Sequence, residues 1–137
     1  MGLFSIIDIA GSGMSAQTVR LNTVASNMAN AEVVSGSPDS AYHARQPVFA
    51  AVMDAIQGDP AAVQVQVSGV VESQAPVNRE YSPQHPQADA DGYVYLSNVN
   101  MIEEMANMIS ASRSYQSNVE VANASKQLLL ETLRLGQ

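Results

Sequence analysis

The chain has 137 residues, no cysteine, no tryptophan, seven methionines and a net charge of -7 carried by 13 acidic and 6 basic side chains. One domain's worth of residues leaves no room for paired nucleotide-binding and substrate domains, and the missing cysteines exclude a disulfide framework, a thiolate zinc site and a cysteine nucleophile. The acidic balance argues against nucleic acid, which calls for a basic stripe to displace the counterions of phosphate.

The first segment is almost uncharged: Asp8 and Arg20 are its only ionised side chains through Ala31. No apolar run approaches the roughly 20 residues that span a bilayer. Leu3 to Ala10 lacks the basic flank and small-residue cleavage site of a secretory signal. Apolar residues recur every seven, with Ile7, Met14, Leu21 and Met28 on one row and Leu3, Ala10, Val24 and Ala31 on a second, which Gln17 interrupts. That spacing predicts a long helix with a narrow coiled-coil seam over 1–31.

Residues 32–97 carry eight acids against Arg45 and Arg79, so nearly all of the net charge sits here. All six prolines lie between Pro38 and Pro86, where they interrupt any long helix. Val63, Val65 and Val67 alternate with Gln64 and Gln66, Val70 and Val71 follow Gly69, and Tyr93 to Leu96 follow the turn signal Asp91-Gly92. A small β-rich or irregular segment is expected.

Residues 98–137 return to the seven-residue period. Met101, Met108, Tyr115, Ala122 and Leu129 form one row, Met105, Ser112, Val119, Lys126 and Leu133 the other, and Ile102, Ile109 and Leu130 widen the apolar face. Asn100 is placed to cap the helix, with Glu103 at its third position, and Gly136 to end it. A helix over 101–135 is about 52 Å long, against a radius of gyration of roughly 14 Å for a compact domain of this size. Some of its apolar surface must therefore meet another chain. The expected fold is mainly α: long N- and C-terminal helices packed as a coiled coil, with the small β-rich segment between them. The residues expected at subunit contacts are Ile7, Met14, Leu21, Val24, Met28, Met101, Met105, Met108, Tyr115, Val119, Leu129 and Leu133.

Three motifs point instead toward chemistry. Gly11-Ser-Gly13-Met-Ser-Ala16, with Glu32 about twenty residues on, matches the dinucleotide-binding spacing. That chemistry needs a strand before the turn and a parallel sheet around it, whereas the heptad rows run straight through these glycines. Small residues there instead let a neighbouring helix approach closely, or mark a bend. His85, Asp89 and Asp91 are close in sequence, but Gln87 occupies the first ligand position of a would-be calcium loop and His43 is the only other imidazole. Neither histidine pairs visibly with a serine and an acid. No catalytic residue, cofactor, metal or small-molecule substrate is expected. Arg113 and Tyr115 stand near mid-helix, where either a specific bond or, for Arg113, simple solvation fits.

Asn22 to Ala31, reading Asn-Thr-Val-Ala-Ser-Asn-Met-Ala-Asn-Ala, resembles the N-terminal motif of bacterial flagellar rod and hook proteins. The run Glu72-Ser-Gln-Ala-Pro76, then Tyr81-Ser-Pro83-Gln-His-Pro86-Gln-Ala-Asp89-Ala-Asp-Gly92-Tyr-Val94, Asn98-Val99, Glu104-Met105, Ser112-Arg113-Ser-Tyr115-Gln-Ser-Asn118-Val119 and Leu135-Gly136-Gln137 resembles the proximal-rod, FlgC-type branch of that family. The likeness covers essentially the whole chain. It implies a non-enzymatic subunit exported by the flagellar type III apparatus without a cleaved signal and assembled into the periplasmic rod, where it transmits torque. Its partners would be other proximal and distal rod proteins, the rod-to-ring junction protein and copies of itself. Asn27, Ala29, Asn30, Arg113, Tyr115 and Asn118 match the family motifs. Val33-Val34-Ser35-Gly36 replaces the Thr-x-Gly-Tyr of many relatives, and Ser97 stands where a proline often precedes Asn-Val. The heptads alone would also suit a cytoplasmic coiled-coil adaptor or export chaperone.

Overall fold

A computed structural model describes residues 3–53 and 63–136. In chain order it contains helix α1 (Leu3–Ala29), strand β1 (Val34–Ser35), a short 3-10 turn (Pro38–Ser40), strands β2 (Arg45–Met53), β3 (Val63–Glu72), β4 (Asn78–Tyr81) and β5 (Tyr93–Leu96), and helix α2 (Met101–Leu135).

Both helices occupy proline-free sequence. At the end of α1 the Ser26 carbonyl accepts both the Asn30 side-chain amide at 2.8 Å and the Asn30 backbone N–H at 3.2 Å, which closes the last turn. The start of α2 is capped by Asn100, whose side-chain oxygen accepts the N–H groups of Ile102 and Glu103 at 3.1 and 3.4 Å. Gly136 ends α2 with φ -91°, so its freedom to adopt a left-handed backbone is not used there.

The middle forms two antiparallel sheets. β2 and β3 make a two-stranded ribbon, Arg45 opposite Glu72 and Met53 opposite Val63, with a register shift between Val48 and Phe49. Pro47 interrupts nothing in this ribbon, since a two-stranded sheet leaves each strand one free edge for the missing N–H. β1, β5 and β4 form a second sheet in that order.

The fold is not the coiled-coil-dominated, mainly α arrangement expected from the heptads. Helix accounts for about 52% and strand for 23% of the described residues. α1 packs along α2 on one side and against the β2–β3 ribbon on another, and the Val65 N–H donates to the Ser12 hydroxyl at 3.2 Å. The physical reason lies in residue size. On α2 the buried positions are Glu104, Ala111 and Ser125; on α1 they include Ser5, Ala10, Ala16, Thr23, Val24 and Asn27. Small and polar groups bring the backbones together without the large apolar knobs of a coiled coil. The largest fully enclosed side chains are Asn27 and Ser97, so the described residues have no large hydrophobic centre of their own. Among the described residues, no helix is long and apolar enough to cross a membrane.

Candidate subunit-contact surface

Pairings along the two helices establish that they run antiparallel: Asn27 meets Glu104, Arg20 meets Asn107 at 2.9 Å, and Gly13 faces Asn118. A Cβ added at Gly13 would lie 2.7 Å from the Asn118 amide nitrogen, so glycine is what permits the approach. Gly11, by contrast, faces open space. Of the three small residues Ala10, Gly11 and Gly13, Ala10 is buried and Gly13 lies against α2.

The inner row of α2 is therefore Glu104, Ala111, Asn118 and Ser125, a strict seven-residue repeat. Counting apolar residues passes over it, because none of the four is large or greasy. The row expected at 101, 108, 115, 122 and 129 flanks it; Met101, Met108 and Leu129 are half-buried, and Tyr115 is at the exposed margin. From the other row, Val119 is half-buried while Met105 and Leu133 are 51% and 67% exposed. On α1, Val24 is buried, and Ile7, Met14, Leu21 and Met28 are half-buried.

Asn27 is 1% exposed and uses every hydrogen-bonding valence of its amide. Its nitrogen donates to the Arg45 carbonyl at 2.8 Å and to Glu104 Oε2 at 3.1 Å. Its oxygen accepts the Arg45 N–H at 2.9 Å and the Tyr42 hydroxyl at 3.0 Å. One side chain thus joins the end of α1, the start of β2 and the first turn of α2. Of the other motif residues, Ala29 is exposed, Asn30 closes α1, Arg113 is exposed, and Asn118 lies against Gly13. Tyr42, Arg45, Glu104 and Asn107 carry no apolar signal and were not singled out as site residues from sequence.

A second asparagine holds the other side of the entry to α2. Asn98 accepts the Ala44 N–H at 2.7 Å and donates to the Ala75 carbonyl at 2.8 Å. Next to it, buried Ser97 accepts the Val99 N–H at 2.9 Å, a local turn at the entry to α2.

The His-Pro-x-Ala-Asp-x-x-Gly-Tyr-Val segment closes the β4–β5 hairpin. Asp89 Oδ1 accepts the N–H groups of Tyr93 and Asp91 at 2.8 and 3.0 Å, and Oδ2 accepts the Tyr95 hydroxyl at 3.0 Å. The Tyr93 N–H, foremost among these donors, holds the Asp89 carboxyl below the usual carboxylate range, and the same carboxylate raises the Tyr95 phenol. His85 Nδ1 accepts the Gln87 N–H at 3.2 Å. These groups are spent on fixing the loop. Gly92 adopts φ 83°, where a Cβ would meet Tyr81 Cε2 at 2.9 Å. Tyr81 stacks edge-on against Tyr93, which also lies under the Arg79 guanidinium.

The outer face of α2 is of the opposite character. Ile102 is 80% exposed, and Met105 and Ile109 continue its stripe; Leu128, Leu130, Leu133 and Leu135 stand out at the far end, Leu135 at 88%. Phe4 at the start of α1 is likewise bare. Contiguous exposed apolar surface of this kind marks an association surface.

Two family models match the chain: one described as "Flagella basal body rod protein" over residues 7–36, the other as "Flagellar basal body rod FlgEFG protein C-terminal" over 90–135. The flagellar basal-body rod protein FlgC of Salmonella typhimurium is 51% identical over 137 residues, all of both chains. Its counterpart in Escherichia coli O157:H7 is 51% identical over 139 residues, again covering both fully, and that of Borreliella burgdorferi is 35% identical over 153 residues, covering all of this chain and 99% of the relative. With that identity over its full length and matching models at both ends, the chain belongs to the FlgC family of flagellar basal-body rod proteins, structural subunits and not enzymes.

Proposed function

We propose that the chain is a proximal-rod subunit that transmits torque through helix-to-helix packing with neighbouring rod subunits. The observation that carries this reading is the outer face of α2: the large apolar side chains of Ile102, Met105, Ile109, Leu128, Leu130, Leu133 and Leu135 stand 49–88% exposed among the described residues, while the inner face is already spent on α1. The neighbours in this reading are copies of the same chain, other proximal and distal rod proteins and the junction protein at the rod base. Ile7, Met14, Leu21, Val24, Met28, Met101, Met105, Met108, Tyr115, Val119, Leu129 and Leu133 line the helix faces involved, with Asn27, Ala29, Asn30, Arg113, Tyr115 and Asn118 supporting their geometry. The near-neutral ends favour crowding many identical helices around one axis, because like charges would oppose it. The acidic middle segment faces outward in this arrangement. The subunit reaches the periplasm through the flagellar type III export apparatus, without a cleaved signal peptide.

Electron microscopy of basal bodies from a strain lacking this chain tests the assignment. The expected result is a missing rod with the export apparatus still in place. A complete rod in that strain contradicts it.

A further inference from the structure

We propose that Asn27 is a register lock: it holds α1 and α2 in one axial alignment and excludes a slide of α1 by one heptad toward the C-terminal end of α2.

The need for a lock follows from the inner row. Glu104, Ala111, Asn118 and Ser125 repeat every seven residues, and Asn27, Arg20 and Gly13 on α1 repeat at the same interval. A slide of seven residues, about 10 Å, gives a second alignment with sound contacts. The position that Asn107 holds toward Arg20 would pass to Ser114, exchanging an amide oxygen for a hydroxyl. Gly13 would face Ser125, small against small. The apolar first turns of α1 would reach the leucines beyond residue 128, of which Leu133 and Leu135 are 67% and 88% exposed in the observed alignment. The apolar area covered there is set against the area uncovered around Met101 and Met108 at the other end. The connection between the helices, residues 30–100, is long enough not to forbid it.

With the start of β2 held at the entry to α2 by the Ala44–Asn98 bond, the slide breaks the set of bonds at Asn27 and also the Val65–Ser12 bond between the ribbon and α1. Moved opposite Ala111, the Asn27 amide loses Glu104 Oε2, both backbone groups of Arg45 and the Tyr42 hydroxyl. Glu104, which is buried, is left without this amide donor, and the Arg45 N–H and carbonyl lose theirs. Unpaired buried polar groups are costly, and a single buried asparagine is known to choose between registers that apolar contacts alone leave nearly equal. The Arg45 bonds add a second function: the alignment of the helices is tied to the point where the β2–β3 ribbon leaves them. A fixed alignment gives every copy the same spacing between its two exposed apolar patches, which goes beyond the assignment of the chain to the rod.

The absence of native cysteine makes disulfide trapping a clean readout in the purified full-length chain. One pair, Gly13→Cys with Asn118→Cys, reports the observed alignment. A second, Gly13→Cys with Ser125→Cys in an Asn118→Ala background that leaves the new Cβ equal room, reports the slid one. With Asn27 present the first pair forms and the second does not. Asn27→Ala is expected to raise the ratio of second to first roughly tenfold, the change that the loss of one well-buried hydrogen bond brings. Asn27→Asp places two carboxylates together and gives the same shift; adding Glu104→Gln supplies a donor and restores the first pair. Retention of the first pair alone in Asn27→Ala overturns the lock. So does loss of both pairs, which would make Asn27 a requirement for folding in general, and so does failure of Glu104→Gln to rescue.

Discussion

The two faces of α2 are built on opposite rules. The inner face has Glu104, Ala111, Asn118 and Ser125, paired with or pressed close to α1; the outer has Ile102, Met105 and Ile109, exposed. In a self-sufficient domain the large apolar groups would point inward, where burying each contributes about 1.5–3 kcal/mol. Here the intramolecular contact uses small residues that permit close approach and polar residues that fix alignment. The apolar groups are left for neighbours. The comparison separates two requirements: the inner face makes the subunit one shape, and the outer face makes many subunits one structure.

Substitutions on the two faces should therefore fail differently. The largest effect on the isolated chain is expected from Val24→Asp, which places an unpaired charge at a position 4% exposed between the helices. A loss of about 4 kcal/mol is expected in thermal or denaturant unfolding, with motility abolished. An unchanged melt would break the account of the inner face.

Gly92→Ala acts away from both faces, on the hairpin that leads into α2. A left-handed backbone and a Cβ 2.9 Å from Tyr81 predict a loss of about 1–2 kcal/mol, measurable by the same unfolding experiment. Asp89 gives a smaller effect, visible mainly in acid. Its folded-state carboxyl is depressed, so its contribution is complete above the ordinary carboxylate range and is lost as pH falls through the depressed value. Asp89→Asn should flatten that part of the acid-unfolding curve and leave the pH dependence near neutrality unchanged. An acid limb identical to that of the parent chain would contradict the role assigned to Asp89.

How much of this was legible in the sequence follows from the same division. Long uninterrupted helices at both ends could be read from heptad spacing and the absence of proline, as could the Asn100 cap and the strand after Asp91-Gly92. The ribbon strand β2 was not, because Arg45-Gln-Pro47 at its start carries no alternation and a proline. The inner seam was missed for a related reason. Glu104, Ala111, Asn118 and Ser125 keep the period but not the hydrophobicity, so apolar spacing points to Met105 and Leu133, which the structure leaves exposed. Asn27 was noticed only through resemblance. Its four bonds reach residues 15, 18 and 77 positions away, and no local pattern encodes such partners.

Ile109→Asp is the smallest perturbation of the folded chain, since the side chain is already exposed; its effect on unfolding should stay within about 0.5 kcal/mol. Its effect on assembly should be the greatest, because in the rod the new charge would be buried against a neighbour without a partner. The most direct measurement is electron microscopy of basal bodies from cells whose only copy of this chain carries Ile109→Asp, with the variant's melting temperature measured in parallel. The expected outcome is an absent or truncated rod together with a melt like that of the parent chain. Complete, motile basal bodies would contradict the claim that the outer face of α2 is where neighbouring subunits pack.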